Sequence, residues 1–441
     1  MRKEDNELLT KVGPGTPMGE LFRQYQIPVL LSRELKPGGP PKRVRLLGED
    51  LIGFRTGSGK VGLVGEACQH RCASLYFGRI EEDGMRCIYH GWKYGLDGAC
   101  LDMPNVSPAH QFKERIHQPA YPCVERCGII WTYMGPAKEP PPVPDLEFLM
   151  VPEENRYVEH RDYQECNYFQ ALEGGIDPAH AAFLHGPLDR LSLSDENAVK
   201  SHNSRLGADQ DLRGTFQVAF ATGERRAHVE ALESDYGIIL AARRNAKDAG
   251  EYLWRTNHFL MPFYTIPPGL TDDLYLCHIW VPVDDEHLVN WRPQWNPFRP
   301  LSEEDHRRFV YEYLPSTVEA YGDIRLSANK SNNYLMDWEI HRTRKFGIPT
   351  IHLEDVAITE SQGRIFDRSK ENLTESDIAI IAVRDRLLNA AQALRDHGEL
   401  PPGVRDAAIY SGIRGASLTL PSEASWLDYM KHQRMGARAS S

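Results

Sequence analysis

Two short clips of cysteine and histidine carry the clearest chemistry in this chain. From Ala67 to Trp92 it reads A-C-Q-H-R-C-A-S-L-Y-F-G-R-I-E-E-D-G-M-R-C-I-Y-H-G-W, so Cys68-x-His70 is followed sixteen residues later by Cys87-x-x-His90. Four soft or borderline ligands on two loops suit zinc or a two-iron, two-sulfur cluster. A cluster would pair Cys68 and Cys87 on one iron and His70 and His90 on the other, and the neutral imidazoles would make the second iron easier to reduce. Zinc fingers more often group Cys with Cys and His with His, whereas each clip here holds one of each, which favours the electron-carrying cluster. Cys72, two residues beyond His70, is expected to pack or cap the loop and is not assigned as a ligand.

A second constellation lies at N-Y-F-Q-A-L-E-G-G-I-D-P-A-H-A-A-F-L-H, residues 167–185. Asp177 and His180 are three apart and share a helical face. His180 and His185 are five apart, about 140° around an ideal helix, so both reach one metal only if the helix is distorted or ends between them. Gly174-Gly175 offers a break, and no H-E-x-x-H zinc-protease pair is present. Taken singly, Asp177 before Pro178 suits a helix N-cap and His185 suits a packing residue. Jointly, two histidines with one distant carboxylate make the facial triad of mononuclear non-haem iron, which leaves positions open for dioxygen.

With both motifs in this order the chain resembles, over essentially its full length, the oxygenase (alpha) subunit of Rieske non-haem iron aromatic-ring-hydroxylating oxygenases. The His-Arg after the first clip and His-Gly-Trp after the second are part of that likeness. The resemblance implies a 2Fe-2S cluster, a mononuclear Fe(II) and O2 as co-substrate. It also implies an Asp as third iron ligand, best matched by Asp355 in I-H-L-E-D-V-A-I-T-E-S-Q-G, with Glu354, Glu360 and Asp337 as weaker candidates. In the family, the residue at Asp177 joins an iron histidine to a Rieske histidine of a neighbouring subunit, here His180 to His90, which implies a homotrimer or hexamer. Asn167 and Gln170 match the family helix, and Asn167 is expected either to tune the iron site or to cap that helix.

Met261 to Gly269, M-P-F-Y-T-I-P-P-G, and Glu360 to Arg368, E-S-Q-G-R-I-F-D-R, resemble the branch acting on aromatic acids, represented by phthalate dioxygenase. The implied reaction is hydroxylation of a carboxylated aromatic, foremost by cis-dihydroxylation, with O-demethylation or monooxygenation as the alternative on the same machinery. Arg243 and Arg244 are candidates to grip the substrate carboxylate through paired N–H donors. No flavin, nicotinamide or ferredoxin motif occurs, so a separate NAD(P)H-dependent reductase, with or without a ferredoxin, is expected to deliver electrons. Gly57 to Gly62 matches G-x-G-x-x-G but is followed by a strand-like V-G-L-V-G, so a hairpin turn is expected there and not a dinucleotide site. The competing classes are a Rieske electron-transfer protein, which would leave His180 and His185 without a task, and a zinc-stabilised binding module.

These residues need a scaffold. The chain has 441 residues and a formal charge of −11, with no clustered Lys/Arg tract, which argues against nucleic acid or anionic membrane as partner. No apolar stretch is long enough to span a membrane, and the acidic start does not suit a secretory signal, so a cytoplasmic protein is expected. Eight cysteines, seven of them before residue 170, are too sparse for a disulfide scaffold. An α+β chain is expected. Residues 1–140 would form an N-terminal helical segment, with one or two short helices over 7–34, and an all-β Rieske domain. Residues 141–441 would form a catalytic domain with an antiparallel sheet flanked by helices, strand-rich over Thr215 to Leu240 and Tyr252 to Val283. The Pro-rich stretch 135–145 marks the boundary, and Ser376 to His397 reads as a helix capped by Ser376 and stopped by Gly398.

Overall fold

The structure is a computed structural model, and it describes residues 1–185, 226–246, 250–269, 273–306, 324–343 and 347–440. The chain divides into two compact units: Lys11–Val143 with Pro282–Asp285, and Met1–Thr10 with Pro144–Val281 and Glu286–Ser441. The division after Val143 falls inside the Pro-rich stretch, while the first ten residues group with the larger unit.

The smaller unit holds helix α1 (Pro17–Arg23) and three antiparallel sheets. Strands β1 (Gln26–Leu31), β11 (Ile129–Tyr133) and β10 (Cys123–Arg126) make the first, in that order. The second orders β2 (Lys42–Leu46), β3 (Glu49–Arg55), β4 (Val61–Gly65) and β9 (Ala120–Tyr121). The third orders β5 (Arg79–Ile80), β6 (Gly84–Arg86), β7 (Lys93–Gly95) and β8 (Cys100–Asp102). The G-x-G-x-x-G string forms the β3–β4 hairpin, with Thr56 N–H donating to the Lys60 carbonyl, so no helix follows it. Helix was expected through residue 34, yet Gln26–Leu31 is a strand: its apolar run pairs with β11, and the register shift beside Pro28 accommodates the residue that cannot donate.

The larger unit is built on an eight-stranded sheet. Its order is β13 (Arg161–Gln164), β20 (Leu288–Trp291), β19 (His278–Pro282), β17 (Tyr264–Ile266), β16 (Glu251–Leu260), β15 (Gly237–Asn245) and β14 (His228–Glu233), with β22 (Ala416–Pro421) also paired to β16. The pairs β14–β15, β15–β16 and β16–β22 are antiparallel. Of the stretch expected to be strand-rich from Thr215, residues 215–225 lie outside the described residues. A small sheet of β12 (Arg156–Tyr157), β21 (Gln294–Trp295) and β18 (Tyr275–Leu276) completes the β-structure among the described residues.

Three helices of this unit matter to function: α2 (Tyr168–Ile176), α3 (Ile351–Ser361) and α4 (Ile378–His397). Helix α4 starts after a turn in which Thr374, not Ser376, is the cap: its hydroxyl accepts from the Ser376 N–H, and the Asp377 carboxylate returns to the Thr374 N–H at 2.7 Å. Gly398 ends it in the left-handed conformation, φ 67°. Val383, Leu387, Leu388 and Ala391 face inward, whereas Ile381 is 38% exposed. Among the described residues, no helix is long and apolar enough to cross a membrane.

Candidate metal centres

The two Cys/His clips fold into matching loops. The N–H of Cys68 donates to the Ala73 carbonyl at 3.0 Å and the N–H of Cys87 to the Trp92 carbonyl at 2.8 Å, so each cysteine anchors the start and the end of its own loop. Both thiols are buried, and the imidazoles of His70 and His90 meet edge to face with ring centroids 4.5 Å apart. Trp92 stacks on His70 at 4.5 Å and is held by its indole N–H to Asn105, 2.8 Å away. Burial pushes the Cys87 thiol up, and the neighbouring Cys68 adds to it. Tyr94 Oη lies 3.1 Å from Cys68 Sγ, placed to donate to that sulfur when it is a thiolate. The buried Nδ1 of His90 has no hydrogen-bond partner among the described residues, an orphan that metal ligation would satisfy. This donor set fits a 2Fe-2S cluster with two sulfur and two imidazole ligands.

The second site lies in the larger unit. Helix α2 is capped by Asn167, whose Oδ1 accepts from the Phe169 N–H at 3.0 Å while its Nδ2 donates to the Thr10 carbonyl at 2.9 Å. Asn167 is therefore the N-cap of α2, at the opposite end of that helix from His180 and His185. The helix stops at Ile176, before either histidine, and His180 begins a single 3-10 turn. That early stop meets the geometric demand of the five-residue spacing. Gly174 and Gly175 are packing residues and not a break: a Cβ on Gly175 would lie 2.6 Å from the Trp280 ring, and one on Gly174 would lie 3.2 Å from Thr359.

His180, His185 and Asp355 come together, with one ligand atom from each lying within 4.8 Å of the others. Asp355 Oδ1 is 3.6 Å from His180 Nε2 and 3.1 Å from His185 Nε2. Burial opposes ionisation of Asp355, but the His185 and His180 imidazoles outweigh it and hold its carboxyl at about 2. Burial alone would push the His185 imidazole down, and Asp355 with Glu354 reverses this to bring it up to about 9. Two Nε2 atoms and a carboxylate converging on one point form the arrangement that binds non-haem Fe(II) in a facial set.

Of the weaker third-ligand candidates, Glu354 faces the other side of His185, with Oε2 2.7 Å from Nδ1. Glu360 accepts from the Glu165 N–H and from Tyr334 Oη, and Asp337 caps the short helix Trp338–Thr343. Neither reaches the histidines. Asp177 Oδ2 is 3.5 Å from His180 Nδ1, and the carboxylate also accepts from the Ala179 and His180 N–H groups. Burial pushes Asp177 up, yet those donors and His180 keep it below the usual carboxylate range. It lines a cleft of about 210 Å³ together with His180, Asp355, Leu184 and Phe366.

The E-S-Q-G-R-I-F-D-R run clamps α2. Gln170 donates to the Thr359 and Gly363 carbonyls and accepts from the Phe366 N–H, and Arg368 grips Glu173 at 2.6 Å. Arg384 of α4 bonds the same Glu173 carboxylate at 2.7 Å. Glu173 and both arginines are buried.

Arg243 and Arg244 both border a cleft of about 310 Å³, but their guanidinium groups are engaged differently. Successive strand residues face opposite sides, and Arg243 lies over Tyr252, with its guanidinium 4.3 Å from the ring centroid. Arg244 is buried on the other face and donates to the Pro178 carbonyl at 3.0 Å, inside the Asp177-to-His180 segment. Arg255 shares that face by strand register, and burial together with the Arg244 charge pulls it down to about 10. Arg255 was not singled out by the sequence; the signal that could have found it is its position opposite Ala242, two residues before Arg244 along β15.

Comparison with known proteins bears on both sites. The model of the Rieske 2Fe-2S domain matches residues 26–119, and that of the LigXa C-terminal domain like family matches residues 132–440. The chain is 37% identical to the 3-chlorobenzoate-3,4-dioxygenase oxygenase subunit of Comamonas testosteroni, over 96% of each. It is 34% identical to the phthalate 4,5-dioxygenase oxygenase subunit of Pseudomonas putida, over 97% of this chain and 94% of that one. Among solved structures, an oxygenase in complex with the ferredoxin of carbazole 1,9a-dioxygenase shares the fold at TM-score 0.55 and 18% identity, covering 91% of this chain and 97% of that one.

Proposed function

The chain belongs to the Rieske non-haem iron oxygenases, as an oxygenase subunit with a 2Fe-2S cluster and a mononuclear iron, and on that premise we propose that it hydroxylates a carboxylated aromatic by cis-dihydroxylation. The observation that supports this most is the full-length similarity to two oxygenase subunits named for 3-chlorobenzoate and phthalate, both aromatic carboxylates.

When bound, the two centres supply one-electron transfer and activation of O2. In our reading Cys68, Cys87, His70 and His90 hold the cluster, and His180, His185 and Asp355 hold the mononuclear iron. Asp177, ionised and seated against His180, links that imidazole to His90 of the partner subunit, which requires a trimer or a hexamer. Arg244, which donates to the Pro178 carbonyl beside Asp177 and has Arg255 on the same face of the sheet, is the group assigned to the substrate carboxylate. The cleft-lining Leu184 and Phe366 supply apolar surface beside His180 and Asp355. Electrons come from a separate NAD(P)H-dependent reductase, with or without a ferredoxin.

The test is oxygen uptake by the iron-loaded protein with a surrogate reductase and NADH, screened over benzoate, chlorobenzoates and phthalate. Uptake dependent on an aromatic carboxylate, with a product carrying both oxygen atoms as a cis-diol, supports the proposal. Release of formaldehyde from methoxybenzoates would assign O-demethylation instead. Uptake confined to uncharged aromatics would remove the carboxylate assignment.

A further inference from the structure

We propose that Glu354 is a positioning residue for the mononuclear centre: its carboxylate fixes the orientation and tautomer of His185 and thereby sets how tightly the site holds iron. This rests on His180, His185 and Asp355 being the ligand set.

Glu354 and Asp355 are consecutive on α3, so one helix projects their side chains about 100° apart. Each takes a different nitrogen of the same imidazole. Glu354 Oε2 is 2.7 Å from His185 Nδ1, and Asp355 Oδ1 is 3.1 Å from His185 Nε2. A carboxylate that holds the Nδ1 hydrogen leaves the Nε2 lone pair for a metal and fixes the ring plane about that axis. Negative charge behind the ring also strengthens it as a donor. Glu354 and His185 are only 1% and 3% exposed, so solvent does little to screen the pair.

His180 is served differently. Asp177 stands 3.5 Å from its Nδ1, shares its charge with two backbone N–H groups and opens on the cleft. One ligand imidazole thus has a half-buried carboxylate that borders the cleft and is shared with backbone N–H groups, and the other has a fully buried one. A glutamine would fill the same space as Glu354 without the desolvation cost of a buried carboxylate.

The test compares Fe(II) affinity of metal-depleted protein by anaerobic competition with a chelator, using the Rieske spectrum and the melting temperature as folding controls. Glu354→Gln is expected to weaken Fe(II) binding by about 10- to 100-fold with the Rieske spectrum unchanged. Glu354→Asp, which keeps the charge, is expected to recover most of that loss, and if Glu354→Gln does not fold it carries the test with a severalfold loss of its own. Asp162→Asn is the control: it weakens an equally buried carboxylate–imidazole pair, Asp162 with His352 of the same helix at 2.9 Å, in which neither partner is one of the three ligands. Its affinity should stay within about twofold of wild type. Wild-type affinity in both Glu354 variants, or an equal loss in Asp162→Asn, would overturn the positioning role. Failure of the ligand set is separable, because then Asp355→Ala would retain the mononuclear iron.

Discussion

Cys72 and Gly91 hold equivalent places in the two cluster loops. Each donates its backbone N–H to the carbonyl of the cysteine four residues earlier, Cys72 to Cys68 at 2.8 Å and Gly91 to Cys87 at 3.0 Å, and each is in the left-handed region, φ 56° and 79°. At Gly91 a Cβ would fall 2.6 Å from Pro104, so glycine is required there; Cys72 is exposed and meets only the intrinsic cost of that conformation.

Cys72 should therefore be dispensable to the cluster. Cys72→Gly is expected to keep the full Rieske spectrum and to change stability by no more than about 1 kcal/mol, because relief of left-handed strain is offset by greater freedom of the unfolded chain. Loss of iron and sulfide from Cys72→Gly would make it a ligand after all.

Glu173, at the edge of the cleft that holds the iron ligands, should be a stability hub. Glu173→Gln leaves Arg368 and Arg384 buried with only part of their countercharge, and breaking such a buried network costs about 3–5 kcal/mol. A melting temperature within a degree or two of wild type would show that α2 is held by packing alone.

Acid should destabilise the larger unit through three desolvated imidazoles, His160 and His258 buried and His278 half-buried. Burial is the leading cause of the low values of His160, His258 and His278, about 3, 4 and 3 against an ordinary 6.5. Between pH 6.5 and 4 the unfolded chain binds protons that the folded chain refuses, so stability falls as pH falls through that window and is unaffected by these groups above it. Each contributes about 1.3 kcal/mol per pH unit at mid-window. His258→Gln, which can still accept from or donate to Tyr236, should show a shallower fall of melting temperature with pH than wild type. Identical slopes would mean that His258 is protonated in the folded protein.

Asp177→Asn is expected to retain the Rieske spectrum and both kinds of iron while losing turnover by about 100-fold. The amide can still bond, but it no longer carries the charge that His180 and the two backbone N–H groups hold in place. Turnover close to wild type would remove the bridging role.

Much of both sites was legible in the sequence because it resides in local spacing. The clips 68–70 and 87–90, and the 177–180–185 triplet, each sit in one loop or turn, so residue type and separation were enough to single them out as candidates. Asp355 needed the family resemblance, since nothing local ties it to residues 170 positions away. Glu354 was weighed only as a rival ligand, because adjacency in sequence does not say which helix face each carboxylate takes. Arg243 and Arg244 were paired by proximity along the chain, but strand alternation separates them and replaces the partner with Arg255 across the sheet. The strand at Gln26–Leu31 was hidden because its pairing partner lies a hundred residues away and Pro28 reads as a breaker. Long-range pairing and side-chain direction are the properties that a single sequence least exposes.

The most direct test of the account is iron and acid-labile sulfide analysis of wild type against Asp355→Ala. Wild type should contain one iron per chain beyond those of the 2Fe-2S cluster. The variant should lose that iron alone, keeping its sulfide, its brown colour and its Rieske paramagnetic signal. A variant that retains the additional iron, or that loses the cluster with it, would contradict the assignment of two separate centres held by these residues.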